Sequence, residues 1–345
     1  VREVRVTIHD VARRAGVSIN TVSRVVNDRP DVREETRTRV REVIAALGYR
    51  PNGLARSLVR RQSRTLGLIV TDTTNPNTAR QVRVFQQTVA DAGYATMIFD
   101  SEESAAREGE ALAVLDERAA DGIAITPAAG SALAAAVPRL LERGMPVVLL
   151  NREVPGLSGC DAVLNDNAAG ARAAVAHLVA VGRRRIAYVT ARLDVSTVRD
   201  RLHGYHDALA EAGIPEEARR VIHAETTIEA AAAAARTLLA EASPPDAIFA
   251  YNDLMAVGVL AALLDAGRRV PDDIALVGYD DITYAPHLRV PLTTVAQPTD
   301  ALAAAAATCL LDRLRGDESP PRRVVLAPRL VVRASSGSGA ERKIV

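Results

Sequence analysis

Asn20, Ser23, Arg24 and Asn27 recur at i, i+3, i+4 and i+7, so one face of a short helix would carry two amides, a hydroxyl and a guanidinium. These groups match the hydrogen-bonding edges of nucleic-acid bases. Arg24 can donate to guanine, Asn20 can pair with adenine, and the neighbouring Ile19 can touch a thymine methyl. A second polar set lies further on, where short apolar runs end: Asp72, Thr126, Asn151, Asn252, Asp253, Asp280 and Asp281. Each alone suits a helix cap or a turn. Gathered along one edge, they suit a small polar ligand.

The elements that must position the first set are three short helices. Thr7 can cap the first, with Asp10 completing a capping-box pair, and Ile8, Val11, Ala12 and Ala15 form its apolar stripe. Gly16 supplies the turn and Ser18 the next cap. In the second helix Val22, Val25 and Val26 point inward. A third helix runs from about Arg33, with Val40, Val43, Ile44 and Leu47 buried. This is a helix-turn-helix, whose second helix would enter a major groove.

Charge separates this head from the rest. Residues 1–64 hold 15 Arg against 7 Asp and Glu, a net +8, whereas the remaining 281 residues carry −7. A basic head on an acidic body is expected to meet polyphosphate with the head alone. Pro51 ends the third helix, and Asn52 can cap the segment Gly53–Leu58. That segment is too short to hold a helix by itself.

From Thr65 the pattern changes. Apolar runs at 65–70, 95–100, 122–126, 146–151, 185–190, 246–252 and 274–280 alternate with amphipathic helices, which predicts doubly wound parallel sheets in two similar lobes with a cleft between them.

The run TIHDVARRAGVSINTVSRVVN, followed by TRTRVREVIAALGYRPNGLARSL, resembles the DNA-binding head and hinge of the LacI/GalR (lactose-repressor/galactose-repressor) family. The segments GLIVTDTTNP, VLNDNAAGARAAVAHLVAVG, RDRLHGYHDAL, AYNDLMAVGVL, DDIALVGYDD and LTTVAQP resemble that family's effector domain, and through it the periplasmic sugar-binding proteins. The likeness spans residues 7 to about 336. It implies that Ile19 and Asn20 choose the operator, that Arg24 contacts a base, and that Thr7, Ser18, Thr21 and Asn27 lie near phosphates. Residues 53–58 would fold as a hinge helix on DNA, with Leu58 as a minor-groove wedge and Ala55 and Arg56 beside it. Arg201, Asn252 and Asp280 would bind the effector, an Arg–Asp pair across the cleft suiting a polyol. Thr126, Asp166 and Gln297 are further candidates from corresponding positions.

The chain departs from the family pattern in its aromatics. It has no Trp and three Phe, and Asn77-Thr78 stands where relatives often place apolar or aromatic residues. Tyr251 and Tyr284 are left to stack on a sugar-like or nucleobase-like effector.

The expected architecture is an all-α helix-turn-helix head plus an α/β body of two doubly wound, periplasmic-binding-protein-like parallel-sheet lobes. The head spans 1–50, a hinge or linker 51–63, and the effector domain 64–338, with a tail at 339–345. The N-lobe would take about 64–160 and 293–322, and the C-lobe about 161–292 and 323–338. Enzyme motifs are missing: there is no GxGxxG after a strand, no GxxxxGK[ST], no HExxH and no GxSxG. The six His are scattered, and neither a metal nor a cofactor is expected. The alternative readings, a doubly wound enzyme or a solute-binding protein acting on a small polar metabolite, fit the body alone. No apolar run stands behind a basic start as in a signal peptide, and no stretch is apolar enough for a membrane. A cytoplasmic regulator, most simply a repressor, is therefore expected, with Cys160 and Cys309 as free thiols. Its expected partners are a pseudo-palindromic operator in double-stranded DNA, a small-molecule effector and a second copy of the chain. The C-terminal ASSGSGAERKIV has no leucine heptads, so a dimer rather than a tetramer is expected.

Overall fold

The computed structural model describes residues 6–49, 63–118, 120–192, 194–215 and 219–337. The chain separates into two compact units, Val1–Ser63 and Arg64–Val345. The expected hinge residues Asn52, Ala55, Arg56 and Leu58, and the tail at 339–345, lie outside the described residues.

The first unit holds α1 (Ile8–Ala15), α2 (Ile19–Val26) and α3 (Glu34–Leu47). Asp10 Oδ2 accepts from the Thr7 backbone N–H at 2.9 Å and from its hydroxyl at 2.7 Å, closing the start of α1. Gly16, at φ 62, ends that helix in the left-handed region, which costs a glycine little. Ser18 Oγ then accepts from Thr21 N at 3.1 Å and opens α2. Val11, Ala12, Ala15, Val22, Val25 and Val40 form the small core, and Ile8, Val26, Val43, Ile44 and Leu47 pack around it. The apolar stripes read from the sequence meet there. A further tie is polar. Arg37, 8% exposed, donates to Asp28 Oδ1 at 3.0 Å and to the Arg29 carbonyl at 2.6 Å, pinning the α2–α3 loop.

The second unit contains two six-stranded sheets. The first is formed by β1 (Thr65–Val70), β2 (Ala95–Asp100), β3 (Gly122–Ile125), β4 (Val147–Leu150), β5 (Asp161–Asn165) and β11 (Arg323–Leu326), in the order β11-β5-β4-β3-β1-β2. The second is formed by β6 (Ile186–Thr190), β7 (Arg220–His223), β8 (Ala247–Ala250), β9 (Ala275–Asp280), β10 (Thr293–Ala296) and β12 (Arg329–Val331), in the order β12-β10-β9-β8-β6-β7. All pairings are parallel except that of β12 with β10, an antiparallel edge.

Around the first sheet lie α4 (Pro76–Asp91), α5 (Ala105–Glu117), α6 (Leu133–Glu142) and α11 (Thr299–Leu314). Around the second lie α7 (Asn167–Ala180), α8 (Ser196–Glu211), α9 (Ile228–Leu239) and α10 (Asp253–Asp265). Helices cover both sheet faces, so the central strands are apolar on both sides. Alternation along β1 divides Leu66, Leu68 and Val70 from Ile69, which belong to separate core clusters.

The chain crosses between sheets three times: from β5 to α7, from β10 to α11, and from β11 to β12. This corrects the expected lobe boundaries. Residues 161–165 and 323–326 belong to the N-lobe, and 293–296 to the C-lobe. Every crossing follows the carboxyl end of a strand, so each expected border fell one strand too early. A short apolar run carries no mark of which sheet it joins.

Candidate functional site

The carboxyl ends of both sets of strands converge on a narrow polar cavity of about 70 Å³. The N-lobe contributes Thr71, Asp72 and Asn75 after β1, Glu103 after β2, Thr126 after β3, and Asn151 and Arg152 after β4, with Asn77, Thr78 and Gln81 from α4. The C-lobe contributes Thr197 and Arg201 from α8, Thr226 after β7, Tyr251 and Asn252 after β8, and Asp280 at the end of β9, and Gln297 comes from the β10–α11 crossing. Parallel strands end here by topology, which places these polar groups together.

Arg201 is 2% exposed. Its Nε donates to Asn167 Oδ1 at 2.9 Å and its Nη1 to the Tyr251 carbonyl at 2.6 Å. The guanidinium carbon lies 3.6 Å from the Tyr279 ring centre and 4.5 Å from that of Tyr251. Burial works against the charge, but Tyr251, Tyr279 and Asp280 outweigh it and raise the pKa of Arg201 above its ordinary value. Asp280 Oδ1 accepts from Gln297 Nε2 at 2.6 Å. Burial pushes its carboxyl above the usual range, while Arg201, Gln297 and Asn75 pull the other way.

Behind Asp280 lies Asp253, fully buried. It accepts from the Thr294 hydroxyl at 2.6 Å and the Ile282 N–H at 2.9 Å. Burial raises its pKa well above the usual carboxylate value, and Asp280 adds to the rise. A Cβ on Gly278 would stand 2.2 Å from Asp253 Oδ1, so only glycine admits that carboxyl against β9. The backbone it braces is strained, with Asp280 at φ 118 and Asp281 at φ 55.

The N-lobe wall is built differently. Arg152 makes a two-pronged pair with Glu103 at 2.8 and 2.7 Å and donates to the Pro127 carbonyl at 2.9 Å. Burial disfavours its charge, and the Glu103 carboxylate more than restores it. Three buried oxygens on lining residues, Thr126 Oγ1, Asn151 Oδ1 and Gln297 Oε1, accept no hydrogen bond within the protein. Beyond Arg152, Glu103 and Tyr251 the cleft opens into a larger compartment of about 690 Å³, with apolar walls from Val195, Val198, Ile228 and Leu254.

The cavity brings together Arg201, Asn252, Asp280, Thr126, Tyr251 and Gln297. It does not take Asp166, whose side chain instead caps α7 by accepting from Ala169 N at 3.0 Å. Nor do Asp253 and Asp281 line it, the latter accepting from Arg333 at 2.6 Å. Tyr284 is 60% exposed and lies outside the lining, leaving Tyr251 as the aromatic wall. Arg201 and Asp280 do not face each other across the cleft, since both belong to the C-lobe. Sequence reasoning missed Arg152 and Glu103. Their one signal was position, directly after β4 and β2.

In the head, α2 presents Ile19, 41% exposed, with Asn20 and Arg24 also exposed. Thr7 and Ser18 are exposed, and Thr21 and Asn27 are half-buried. Asn27 Nδ2 donates to the Ser23 carbonyl at 2.8 Å, and Arg24 Nη1 meets Asp31 Oδ2 at 2.9 Å. Of the face predicted from spacing, Asn20 and Arg24 are exposed, and Ser23 and Asn27 are half-buried.

Among the described residues no helix is long and apolar enough to cross a membrane. Residues 7–52 match the family model of bacterial regulatory proteins, lacI family, and residues 175–336 that of a periplasmic binding protein-like domain. The HTH-type transcriptional repressor PurR of Photobacterium profundum is 35% identical over 332 residues, covering 95% of this chain and 98% of that protein. Among solved structures, the transcriptional regulator CelR–cellobiose complex matches with a TM-score of 0.73 at 34% identity, covering 96% of this chain and all of that one. The lac repressor dimer bound to operator and the anti-inducer ONPF matches with a TM-score of 0.85 at 27% identity, covering 96% of this chain and 99% of that one. A helix-turn-helix head and a two-lobed body in one chain, alike in sequence and in fold to these regulators along nearly their whole length, make the protein a member of the LacI family of DNA-binding transcriptional regulators.

Proposed function

We propose that this regulator is a repressor whose hold on its operator is set by a small, neutral, polyhydroxylated effector in the inter-lobe cavity. The observation that carries this reading is the charge pattern of the lining. The lining holds three carboxyl groups, Asp72, Glu103 and Asp280, against two guanidiniums; Arg152 is paired with Glu103, and Asp280 acts on Arg201 through its charge. An anionic sugar would meet more acid than base there. Tyr251 is the aromatic group of the lining, which gives a purine little to stack on. A polyol suits the site, because its hydroxyls can donate to Thr126 Oγ1, Asn151 Oδ1 and Gln297 Oε1 and to Asp280, and accept from Arg201 and Asn252.

At DNA, Ile19, Asn20 and Arg24 read base edges in the major groove, while Thr7, Ser18, Thr21 and Asn27 lie at phosphates. Asn52, Ala55, Arg56 and Leu58 form the hinge contact. The working unit is a cytoplasmic dimer on a pseudo-palindromic site, whose two-fold symmetry repeats that of the protein.

The test is a thermal-shift panel on the full chain, comparing neutral mono- and disaccharides with sugar acids, sugar phosphates and purines. A ligand at 100 times its Kd should add about 2.7 kcal/mol of stability to the folded body. A response confined to purines or anionic sugars would overturn the proposed effector class.

A further inference from the structure

We propose that Asp31 is a specificity-determining residue of the head, one that tethers Arg24 away from DNA phosphates while leaving it free to read a base. The inference rests on the reading of α2 as the groove-reading helix. Arg24 is the one basic residue of α2, and its Nη1 lies 2.9 Å from Asp31 Oδ2, on the loop leading to α3.

Three other acids of the head are employed differently. Asp10 closes the start of α1, and Asp28 binds Arg37 and Arg41 at the α2–α3 loop. Glu34 pairs with Arg37 within α3. Those contacts hold the fold. The Arg24–Asp31 pair is half in solvent, with side chains 54% and 53% exposed, and it sits on the face that would meet DNA.

On an arbitrary duplex, an exposed arginine gains most by swinging to the nearest phosphate, a contact blind to sequence. Asp31 opposes this twice. A guanidinium that leaves one anion for another gains little, and a carboxylate brought to the backbone is repelled. Base reading is affected less. The pair engages Nη1, so the remaining donors of the guanidinium can still approach guanine O6 and N7, the two-acceptor edge that arginine prefers. Asp31 thereby gives up some affinity for every duplex and gains a larger ratio between the right one and the rest.

The test uses the full chain, with a random-sequence duplex and an operator recovered by selection from a randomised pool. Asp31→Asn should raise affinity for the random duplex by about 1.5- to 5-fold per head, the range of an exposed ion pair. The logarithmic salt dependence should steepen by about 1 for each phosphate gained. Operator affinity should rise less, so the specificity ratio falls. In an Arg24→Ala background, Asp31→Asn should give a clearly smaller rise, since only the repulsion between its carboxylate and the backbone is then relieved. Four outcomes would overturn the proposal: an unchanged random-duplex affinity and salt slope, an equal rise on both duplexes, the same rise without Arg24, or weaker binding to both duplexes. Amide exchange in α1–α3 that matches wild type would show the head intact. If Arg24→Ala alone weakens both duplexes equally, the groove reading fails and the specificity role with it, while the random-duplex arm still reports whether the tether exists.

Discussion

The head and the cleft both present arginines to polar partners, yet their surroundings differ in kind. Arg24 stands in solvent beside one carboxylate, Arg37 is buried against an exposed acid and a carbonyl, and Arg201 is enclosed by an amide, a carbonyl and two aromatic rings. The side chain is the same in each case. Whether its loss strands another charge is what differs, and this sets how much its removal should cost. The head can therefore vary its reading face with little penalty. The cleft cannot vary its anchors without disturbing its own fold.

The sharpest break in this comparison would come from Arg201→Ala. It leaves Asp280 buried without its neighbouring cation and should destabilise the body by about 3–5 kcal/mol in urea unfolding, with loss of any effector-induced shift. A cost below about 1 kcal/mol would mean that Arg201 is no more embedded than Arg24. Arg37→Ala should cost less, about 1–2 kcal/mol, because its partner Asp28 is 76% exposed on the side chain and regains water. It should be read as roughly tenfold faster amide exchange in α2 and α3, with the body unaffected.

The smallest effect concerns protons. Asp253 and Asp280 have raised pKa values, so the folded body binds their protons more tightly than the unfolded chain does. Their contribution is therefore fully present below the ordinary carboxylate range and is lost as pH rises through the folded values. Asp253→Asn keeps the geometry, with its amide N–H donating to Thr294 and its oxygen accepting from Ile282. It should flatten the fall of stability as pH rises from the ordinary carboxylate range toward neutrality. An unaltered profile would show that Asp253 does not titrate in that interval.

The two regions were also unequally legible in the sequence. The head declares itself locally. Caps, turn and apolar stripes at helical spacing fix α1–α3 and their outward face, because every determinant lies within a turn or two of the residue it governs. The body announces its central strands equally well, as apolar runs such as residues 65–70 and 274–280. Its edges were less readable. β7, β11 and β12 are short, carry Arg, and depend on a partner strand far along the chain.

The same limit applies to the cavity. Gln297 lines it, Asn252 lines it while its Oδ1 also caps its own helix, accepting from Met255 N at 2.8 Å, and Asp166, equally polar and equally at a strand end, only caps its helix. Arg152 became visible only with Glu103, because their 49-residue separation gives no local signal. A strand end tells which residues arrive at the cleft. It does not tell which way each side chain turns.

The three crossings between the lobes have a mechanical consequence. In the first sheet β5 and β11 are neighbours, and in the second β10 and β12 are neighbours. The three links therefore leave from adjacent strands and run as a narrow strip, with strand spacings of about 4.8 Å. A strip of this kind resists stretching and sliding but bends readily about the line across its width, like the spine of a book. Only the N-lobe page follows directly from the head along the chain, at β1, while Arg201 and Asp280 belong to the other page. A change on the far page can reach the near one as a change of angle along that spine.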